Sequence, residues 1–229
     1  MDWTRSVDAY CERLDPGLWA EPVNALTNAA FLVAAVAAWV AWRTDQRRKV
    51  PFTRPGDRAV PALIVILFLI GIGSFLFHTV ATRWAALADV VPIAVFIHVY
   101  FYLAMRRILG RGVVVSLVLT VAFLVLGYGV APVLSGVIGS SAGYVPAAIA
   151  ILAVAVAARR LNRSAAGPLA LIGAIFMISL AFRMADIPFC PSFPVGTHFV
   201  WHCLNAVVLY LLIRILIRAN LRSSGTGPS

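Results

Sequence analysis

Two histidines four residues apart begin the last apolar run of the chain, His198-Phe-Val-Trp-His202. Side chains at positions i and i+4 share one face of a helix, so both imidazoles can bind one metal ion. A third histidine, His78, ends an earlier apolar run one turn after Ser74, and Asp89 begins the next run. Ionisable residues in membrane-spanning segments are costly and by default indicate function. The pattern predicts a metal site formed by His78, His198 and His202.

Three neutral imidazoles with one open position are the ligand set of a catalytic zinc ion, which lowers the pKa of a bound water to about 7. The metalloprotease sequence His-Glu-x-x-His is absent, so the general base must come from another helix, and Asp89 is the candidate. Ser74 is the candidate donor to an oxyanion, and the alternative is a hydroxyl bonded to the carbonyl of Ile70. His98 lies about 180° around its helix from Asp89, so we interpret it as a packing residue.

The composition indicates a polytopic membrane protein. The chain has 229 residues, of which 62% are hydrophobic and 12% charged, and its mean hydropathy is +0.92. A soluble domain requires more polar surface. The net charge of +10 lies in short basic clusters between apolar runs, which orient a membrane protein, so nucleic acid is not an expected partner. The first twenty residues have no apolar core of signal-peptide length, and the first span is expected to act as its own signal.

Seven apolar runs have roughly the length that a helix needs to cross a bilayer. The predicted fold is an all-α bundle of seven transmembrane helices over residues 21–218, with an extracytoplasmic segment at 1–20 and a disordered cytoplasmic tail at 219–229. The predicted spans are residues 21–42, 59–80, 85–105, 113–133, 143–158, 165–187 and 196–217. A tight turn at residues 82–84 is expected to bring His78 and Asp89 to the same depth.

The basic residues predict the orientation of the bundle. Fifteen Lys and Arg residues lie on one side of the predicted spans and four on the other. By the positive-inside rule the amino terminus is outside and the carboxyl terminus is cytoplasmic. The candidate site residues then all lie near the outer face, which predicts one composite site there. Richness in Ala, Val and Arg with a single lysine, Lys49, favours a bacterial source, and hence an inner membrane with the site near its periplasmic face.

Two pairs of side chains are expected to contact each other. Cys11 and Cys190 both lie outside, in an oxidising compartment if that is the periplasm, and are predicted to form a disulfide. Cys203 lies within the seventh span and is expected to be free. Arg183 and Asp186 are three residues apart in the sixth span, so we expect a salt bridge between them.

Several motifs together resemble the alkaline ceramidase family, and the resemblance covers essentially the whole chain. They are Tyr10-Cys11-Glu12, Trp19-Ala-Glu21-Pro-Val-Asn24-Ala-Leu-Thr-Asn28, Gly73-Ser74-Phe-Leu-Phe-His78, Asp89 and His198-Phe-Val-Trp-His202. That family belongs to a superfamily of seven-span metal hydrolases that also contains adiponectin-receptor-like proteins. The resemblance implies that His78, His198 and His202 bind zinc and that Ser74 and Asp89 form the catalytic polar pair. It also implies hydrolysis of the amide of ceramide or a related N-acyl lipid to a fatty acid and an amine lipid.

The resemblance further implies a calcium site in the amino-terminal acidic segment, with ligands from Asp8, Glu12 and Glu21. The match is partial there. Arg13 and Leu14 stand where the family has acidic and amide side chains.

Two classes of function remain open. The first is an integral-membrane zinc amidase, whose partners are the membrane and an N-acyl lipid substrate. The second is a non-enzymatic receptor or transporter with a metal-stabilised or proton-coupled core. A transporter is expected to have internal repeats or matched Gly/Pro-broken spans, and neither is convincing here. The sequence makes no prediction of oligomeric state.

Overall fold

The computed structural model describes residues 2–47 and 57–223, and all regular elements in these ranges are helices. They are α1 (Pro22–Thr27), α2 (Ala29–Arg47), α3 (Ala59–Val80), α4 (Arg83–Arg107), α5 (Val113–Ile138), α6 (Val145–Leu161), α7 (Arg163–Phe189) and α8 (His198–Ser223). A 3-10 segment at Gly139–Tyr144 joins α5 to α6. The all-helical prediction is therefore confirmed for the described part of the chain.

Six helical stretches in the described ranges are long and apolar enough to cross a membrane. One of them, Val113–Leu161, has 49 residues and combines α5, the 3-10 segment and α6. At 1.5 Å per residue a helix of that length measures about 70 Å, whereas the hydrocarbon core of a bilayer is about 30 Å thick. The chain is thus a multi-pass membrane protein, and the predicted division into seven spans stays a prediction.

The helix ends lie close to the predicted boundaries, and α3 has the predicted limits. The Gly/Ser-rich connection expected to be a loop is the 3-10 segment. Helix α8 continues to Ser223, so residues 219–223 of the predicted disordered tail are helical. Basic side chains such as Arg218 favour the carboxyl end of a helix, because they interact with its dipole. Residues 48–56 of the predicted basic loop and 224–229 of the tail lie outside the described residues.

Helices α3 and α4 lie in close contact at Gly73. A Cβ atom at this position would overlap the carbonyl group of Ala88, so only glycine fits the observed separation. Small residues allow helices to pack closely in membranes, where the hydrophobic effect does not drive association. The close contact lies one residue before Ser74 and one residue before Asp89, and it therefore sets the distance between these two side chains.

The amino-terminal segment, residues 2–20, lies against the turn between α3 and α4. Ala81, the residue after α3, has a left-handed backbone (φ 47°). The amide of Val7 donates to the carbonyl of Ala81 at 2.7 Å, and the amide of Arg83 donates to the carbonyl of Arg5 at 3.2 Å. Ser6 and Thr82 form an isolated antiparallel bridge. These bonds hold the segment over the end of the bundle at which His78 lies.

Candidate metal centre and active site

His78, His198 and His202 lie together at one end of the bundle. Their ligand atoms are all within 4.8 Å of one another, and each side chain is almost fully buried. His78 is in the last turn of α3, while His198 and His202 face it from the first two turns of α8. The two helices thus bring His78 together with two histidines that lie 120 or more residues further along the chain, and the three side chains could hold one metal ion.

The hydrogen bonds of these rings fit a metal site. The Nε2 atom of His78 and the Nδ1 atom of His198 are buried, yet neither has a hydrogen-bond partner among the described residues. Buried polar atoms are rarely left unpaired. The other ring nitrogen of a metal-binding histidine commonly bonds a carboxylate or another polar group, which fixes the ring. Nδ1 of His78 does so with Oε2 of Glu21 at 2.6 Å. The three imidazoles could therefore hold one metal ion.

Thr27 fixes the tautomer of His202. Its hydroxyl lies 2.9 Å from Nδ1 of His202 and donates its one proton to the carbonyls of Val23 and Asn24, at 2.8 and 3.0 Å. The hydroxyl oxygen must therefore accept the proton of Nδ1. This leaves the lone pair of Nε2 free to bind a metal, and α1, which carries Thr27, positions this ligand.

A buried ion pair supports His78 from behind. Oε1 of Glu21 lies 2.5 Å from Nε of Arg13, and both side chains are almost fully buried. The guanidinium of Arg13 also donates to the main-chain carbonyls of Asp15 and Gly17, each at 3.2 Å, and to that of His78 at 3.4 Å. Arg13 thus connects the amino-terminal segment to a candidate metal ligand through Glu21.

The same contacts correct the expected calcium site. The structure does not bring Asp8, Glu12 and Glu21 together, because the histidines form the one cluster of three or more candidate ligands in residues 2–47 and 57–223. The carboxylate of Glu12 accepts the amides of Val23 and Asn24 at the start of α1, at 2.7 and 2.8 Å. Both oxygens of Glu21 are bonded to Arg13 and His78, and Asp8 is exposed. Two of the three carboxylates are therefore occupied by partners from the chain itself.

Asp89 lies beside Ser74 across the contact between α3 and α4. Both residues are buried, and the hydroxyl of Ser74 lies against the carboxylate of Asp89. The charge of Asp89 interacts with His78, and its Oδ1 atom has no hydrogen-bond partner in the described part of the chain. A buried carboxylate oxygen that is unpaired and close to the histidines can accept a proton from a water or a ligand there.

The expected salt bridge between Arg183 and Asp186 is wrong. Oδ1 of Asp186 accepts the amides of Thr197 and His198, at 2.7 and 2.9 Å, and Oδ2 accepts the amide of Cys11 at 2.9 Å. The first amides of a helix have no partner within the helix, so a carboxylate at the start of α8 is favoured over one beside Arg183. Asp186 therefore holds His198 in place, a role that the sequence analysis missed.

Gly196 allows this arrangement. It has a φ of +69°, and a Cβ atom there would overlap Asp186 and Cys11. The side chains of Cys11 and Cys190 lie next to each other, with their Cα atoms 5.5 Å apart. The amino-terminal segment therefore contacts α7 and the start of α8 at one point, next to the histidines. Cys203 has no sulfur partner and is exposed on α8.

Tyr10 covers the histidines from the amino-terminal side. Its ring stacks on that of His198 with centroids 3.8 Å apart, and lies 5.0 Å from that of His78. Its hydroxyl accepts a hydrogen bond from Nη2 of Arg183 at 3.2 Å. Burial raises the pKa of the Tyr10 phenol, so the group is neutral and covers the cluster as an uncharged ring.

His98 lies apart from this cluster. Its Nδ1 is 2.7 Å from the carbonyl of Ala94, as expected for a packing residue.

The chain is similar to a family of known proteins. No curated protein matches the chain. A family model described as Ceramidase matches residues 9–228, nearly the whole chain, and the matched range includes all three histidines as well as Ser74 and Asp89. The chain belongs to the ceramidase family.

Proposed function

We propose that this protein is an integral-membrane, zinc-dependent amidase that hydrolyses ceramide or a related N-acyl lipid to a fatty acid and an amine lipid. One observation carries the proposal. Three buried histidines lie together beside a buried carboxylate, and in the described residues two of the histidines and the carboxylate each have a polar atom without a hydrogen-bond partner. Membership of the ceramidase family implies hydrolase activity and supports a lipid substrate and a membrane location.

His78, His198 and His202 would hold the zinc ion. Bound zinc would polarise the amide carbonyl as a Lewis acid and make water a stronger nucleophile at neutral pH. The chain's contribution is to orient its ligands. Glu21 fixes the ring of His78, and Thr27 fixes the ring of His202. Asp186 anchors the amide of His198 and so fixes the start of α8.

Asp89 would act as the general base and then as the general acid. Its unpaired Oδ1 would accept a proton from the attacking water and deliver it to the nitrogen of the leaving amine, which departs as a neutral amine. Ser74 would donate a hydrogen bond from its hydroxyl, either to the Asp89 carboxylate or to the negative charge that develops on the amide oxygen. The close contact at Gly73 keeps these two side chains together.

The proposed topology has seven spans, with the amino terminus outside, the carboxyl terminus in the cytoplasm and the site near the periplasmic face of a bacterial inner membrane. The length of Val113–Leu161 supports two spans there, and the distribution of basic residues supports the orientation. Reporter fusions within residues 48–56 and at the carboxyl terminus should report cytoplasm. A fusion within 135–142 should report the outside, and the opposite pattern would refute the orientation.

Lipid hydrolysis by the purified protein tests the proposed function. The protein would be loaded with zinc in detergent and incubated with ceramide, N-acylethanolamines and N-acyl amino acids, and free fatty acid would be quantified. We expect release from at least one lipid, loss of release after metal removal and recovery on adding zinc. Asp89→Asn is the matched inactive control. Absence of release from every lipid by a zinc-loaded, monodisperse protein would refute the proposal.

A further inference from the structure

A cavity of about 600 Å³ lies between α4, α5 and α6. It is at the same end of the bundle as the histidines, because its wall includes Val90, the residue after Asp89, and Ser140 of the 3-10 segment. Most of its wall is apolar, with side chains such as Ile93 of α4 and Phe123 of α5. A pocket of this size and character suits an acyl chain better than a polar ligand.

A second, smaller cavity extends this space into the bundle. Its volume is about 50 Å³, and it shares Ile93, Phe123 and Tyr144 with the first. Its wall also includes Asn205, which lies three residues after His202 on α8. The two cavities are therefore neighbours, and the smaller one reaches the helix that carries two of the metal ligands.

Arg183 places a positive charge in the wall of the larger cavity. Its Nη1 donates to the hydroxyls of Ser140 and Ser141, at 2.9 and 2.8 Å, and its Nη2 donates to the hydroxyl of Tyr10. Its Nε is buried and has no acceptor in residues 2–47 and 57–223. The ion pairs formed within these residues involve Arg13, His78 and Arg107, so Arg183 has no carboxylate in direct contact there. The charge of Asp89 acts on Arg183 without a direct ion pair.

Arg183 is half-buried, and a buried Nε with no acceptor in the described residues is costly, a cost that nearby aromatic rings offset only in part. The guanidinium carbon of Arg183 lies 5.1 Å from the ring centroid of Tyr144 and 5.8 Å from those of Tyr10 and Trp201. Guanidinium groups match the planar, two-oxygen geometry of a carboxylate. The missing partner of Arg183 is thus best supplied by a carboxylate that enters with a ligand.

Tyr10 connects Arg183 to the candidate metal centre. One face of its ring stacks on His198, and its hydroxyl is bonded to Arg183. Only this ring separates the guanidinium from a candidate metal ligand. A ligand whose chain lies in the cavity and whose carboxylate lies on Arg183 therefore has its polar end next to the proposed reaction centre.

We propose that Arg183 and this cavity form a binding site for an acyl-chain ligand that carries a carboxylate. The carboxylate has two chemical sources. It belongs either to the amine part of an N-acyl amino acid, as substrate, or to the fatty acid released by hydrolysis, as product. The assignment to substrate or product rests on the proposed function, whereas the binding site itself does not.

The test compares matched ligands that differ in charge. Binding of palmitate and hexadecanol, and of N-palmitoylglycine and N-palmitoylethanolamine, would be measured with the full-length protein in detergent by tryptophan fluorescence or calorimetry. Asp89→Asn is used as background so that no ligand is consumed. Hydrogen bonds to charged groups are strong, so we expect at least one carboxylate to bind on the order of 10- to 100-fold more tightly than its neutral partner. A preference for palmitate indicates the product site, and a preference for N-palmitoylglycine indicates the substrate site.

Variants identify the residue responsible. Arg183→Gln should remove the preference for the carboxylate, and Arg183→Lys should retain part of it. Arg159→Gln, which removes an exposed arginine of α6, should leave it unchanged. If the Asp89→Asn protein binds charged and neutral ligands with equal affinity, this result alone overturns the proposal, and no Arg183 variant is needed. So would an Arg183→Gln protein that binds both kinds of ligand more weakly by the same factor, because this would indicate a structural role.

Hydrolysis by the parent protein separates this proposal from the proposed function. If the carboxylate preference depends on Arg183 and no lipid is hydrolysed, the binding site stands and the amidase assignment fails. If lipids are hydrolysed and binding shows no carboxylate preference, the amidase assignment stands and the binding site fails.

Discussion

Glu21 and His78 are joined by a short contact, 2.6 Å between Oε2 and Nδ1, in an environment that excludes water. The carboxylate accepts the proton of Nδ1, so the lone pair of Nε2 points away from Glu21 toward the other two histidines. Negative charge on Glu21 also makes His78 a stronger donor to a cation. This hydrogen bond therefore orients a ligand of the proposed metal site and also stabilises the fold.

The first prediction concerns this contact. Glu21→Gln keeps the size of the side chain and removes its charge, so zinc affinity should fall by about 10- to 100-fold. Competition with a chromophoric chelator would measure the dissociation constant. Glu12→Gln is the matched control, because Glu12 bonds the start of α1 and does not contact a histidine. Unchanged affinity in Glu21→Gln would show that His78 is not supported in this way.

The second prediction concerns the ligands. His202→Ala removes one of three protein ligands, and the purified variant should lose most of its zinc by elemental analysis, where the parent holds one ion per chain. His98→Ala is a matched control, since this histidine bonds the carbonyl of Ala94 in the middle of α4. Full retention of zinc by His202→Ala, or equal loss in both variants, would move the ligand set elsewhere.

The third prediction separates metal binding from proton transfer. Asp89→Asn should keep its zinc and lose turnover by about 10²- to 10⁴-fold, the usual contribution of a general acid–base group. Parallel measurements of zinc content and kcat distinguish this from a ligand role, in which both would be lost together. Hydrolysis at the parent rate would exclude Asp89 as the base.

The fourth prediction concerns the contact between α3 and α4. Gly73→Ala must push the helices apart, because its Cβ meets the main chain of Ala88 and not a flexible side chain. Overpacking of this kind costs about 1–3 kcal/mol, and thermal unfolding in detergent should occur at a lower temperature. Gly129→Ala on α5 is the control, since its Cβ meets nothing within 4 Å. An unfolding temperature for Gly73→Ala equal to that of the control would contradict the packing argument.

The fifth prediction is a disulfide between Cys11 and Cys190, whose Cα atoms lie 5.5 Å apart. Mass mapping of unreduced protein should recover one linked peptide pair, with Cys203 alone alkylated. Cys190→Ser should make Cys11 alkylatable and lower the unfolding temperature, because the bridge restrains the unfolded chain and removing one typically costs about 2–5 kcal/mol. Alkylation of Cys11 in the unreduced parent protein would refute the pairing.

The sequence predicted those parts of the site that depend on helical periodicity and hydropathy. His198 and His202 share a face because they are one turn apart, and the end of α3 brings His78 level with them. A rule based on spacing alone failed for Arg183 and Asp186, because the free amides at the start of α8 compete for the carboxylate. Local spacing cannot anticipate a partner on another helix.

The role of the amino-terminal segment also could not be predicted from the sequence. Cys11 and Asp186 are 175 residues apart, and no periodic pattern relates such positions. The calcium expectation counted acidic residues without their partners, and Arg13 occupies one oxygen of Glu21. A basic residue within an acidic segment is a signal that could have suggested an internal ion pair.

The amino-terminal segment is synthesised before its partners on α7 and α8. Tyr10 stacks on His198, and the amide of Cys11 donates a hydrogen bond to Asp186. Neither contact can form until more than 170 further residues have been translated and inserted. A nascent chain that ends before α8 has one of the three histidines and cannot complete the cluster. The candidate metal site can therefore form only after α8 has been synthesised and has packed against α3.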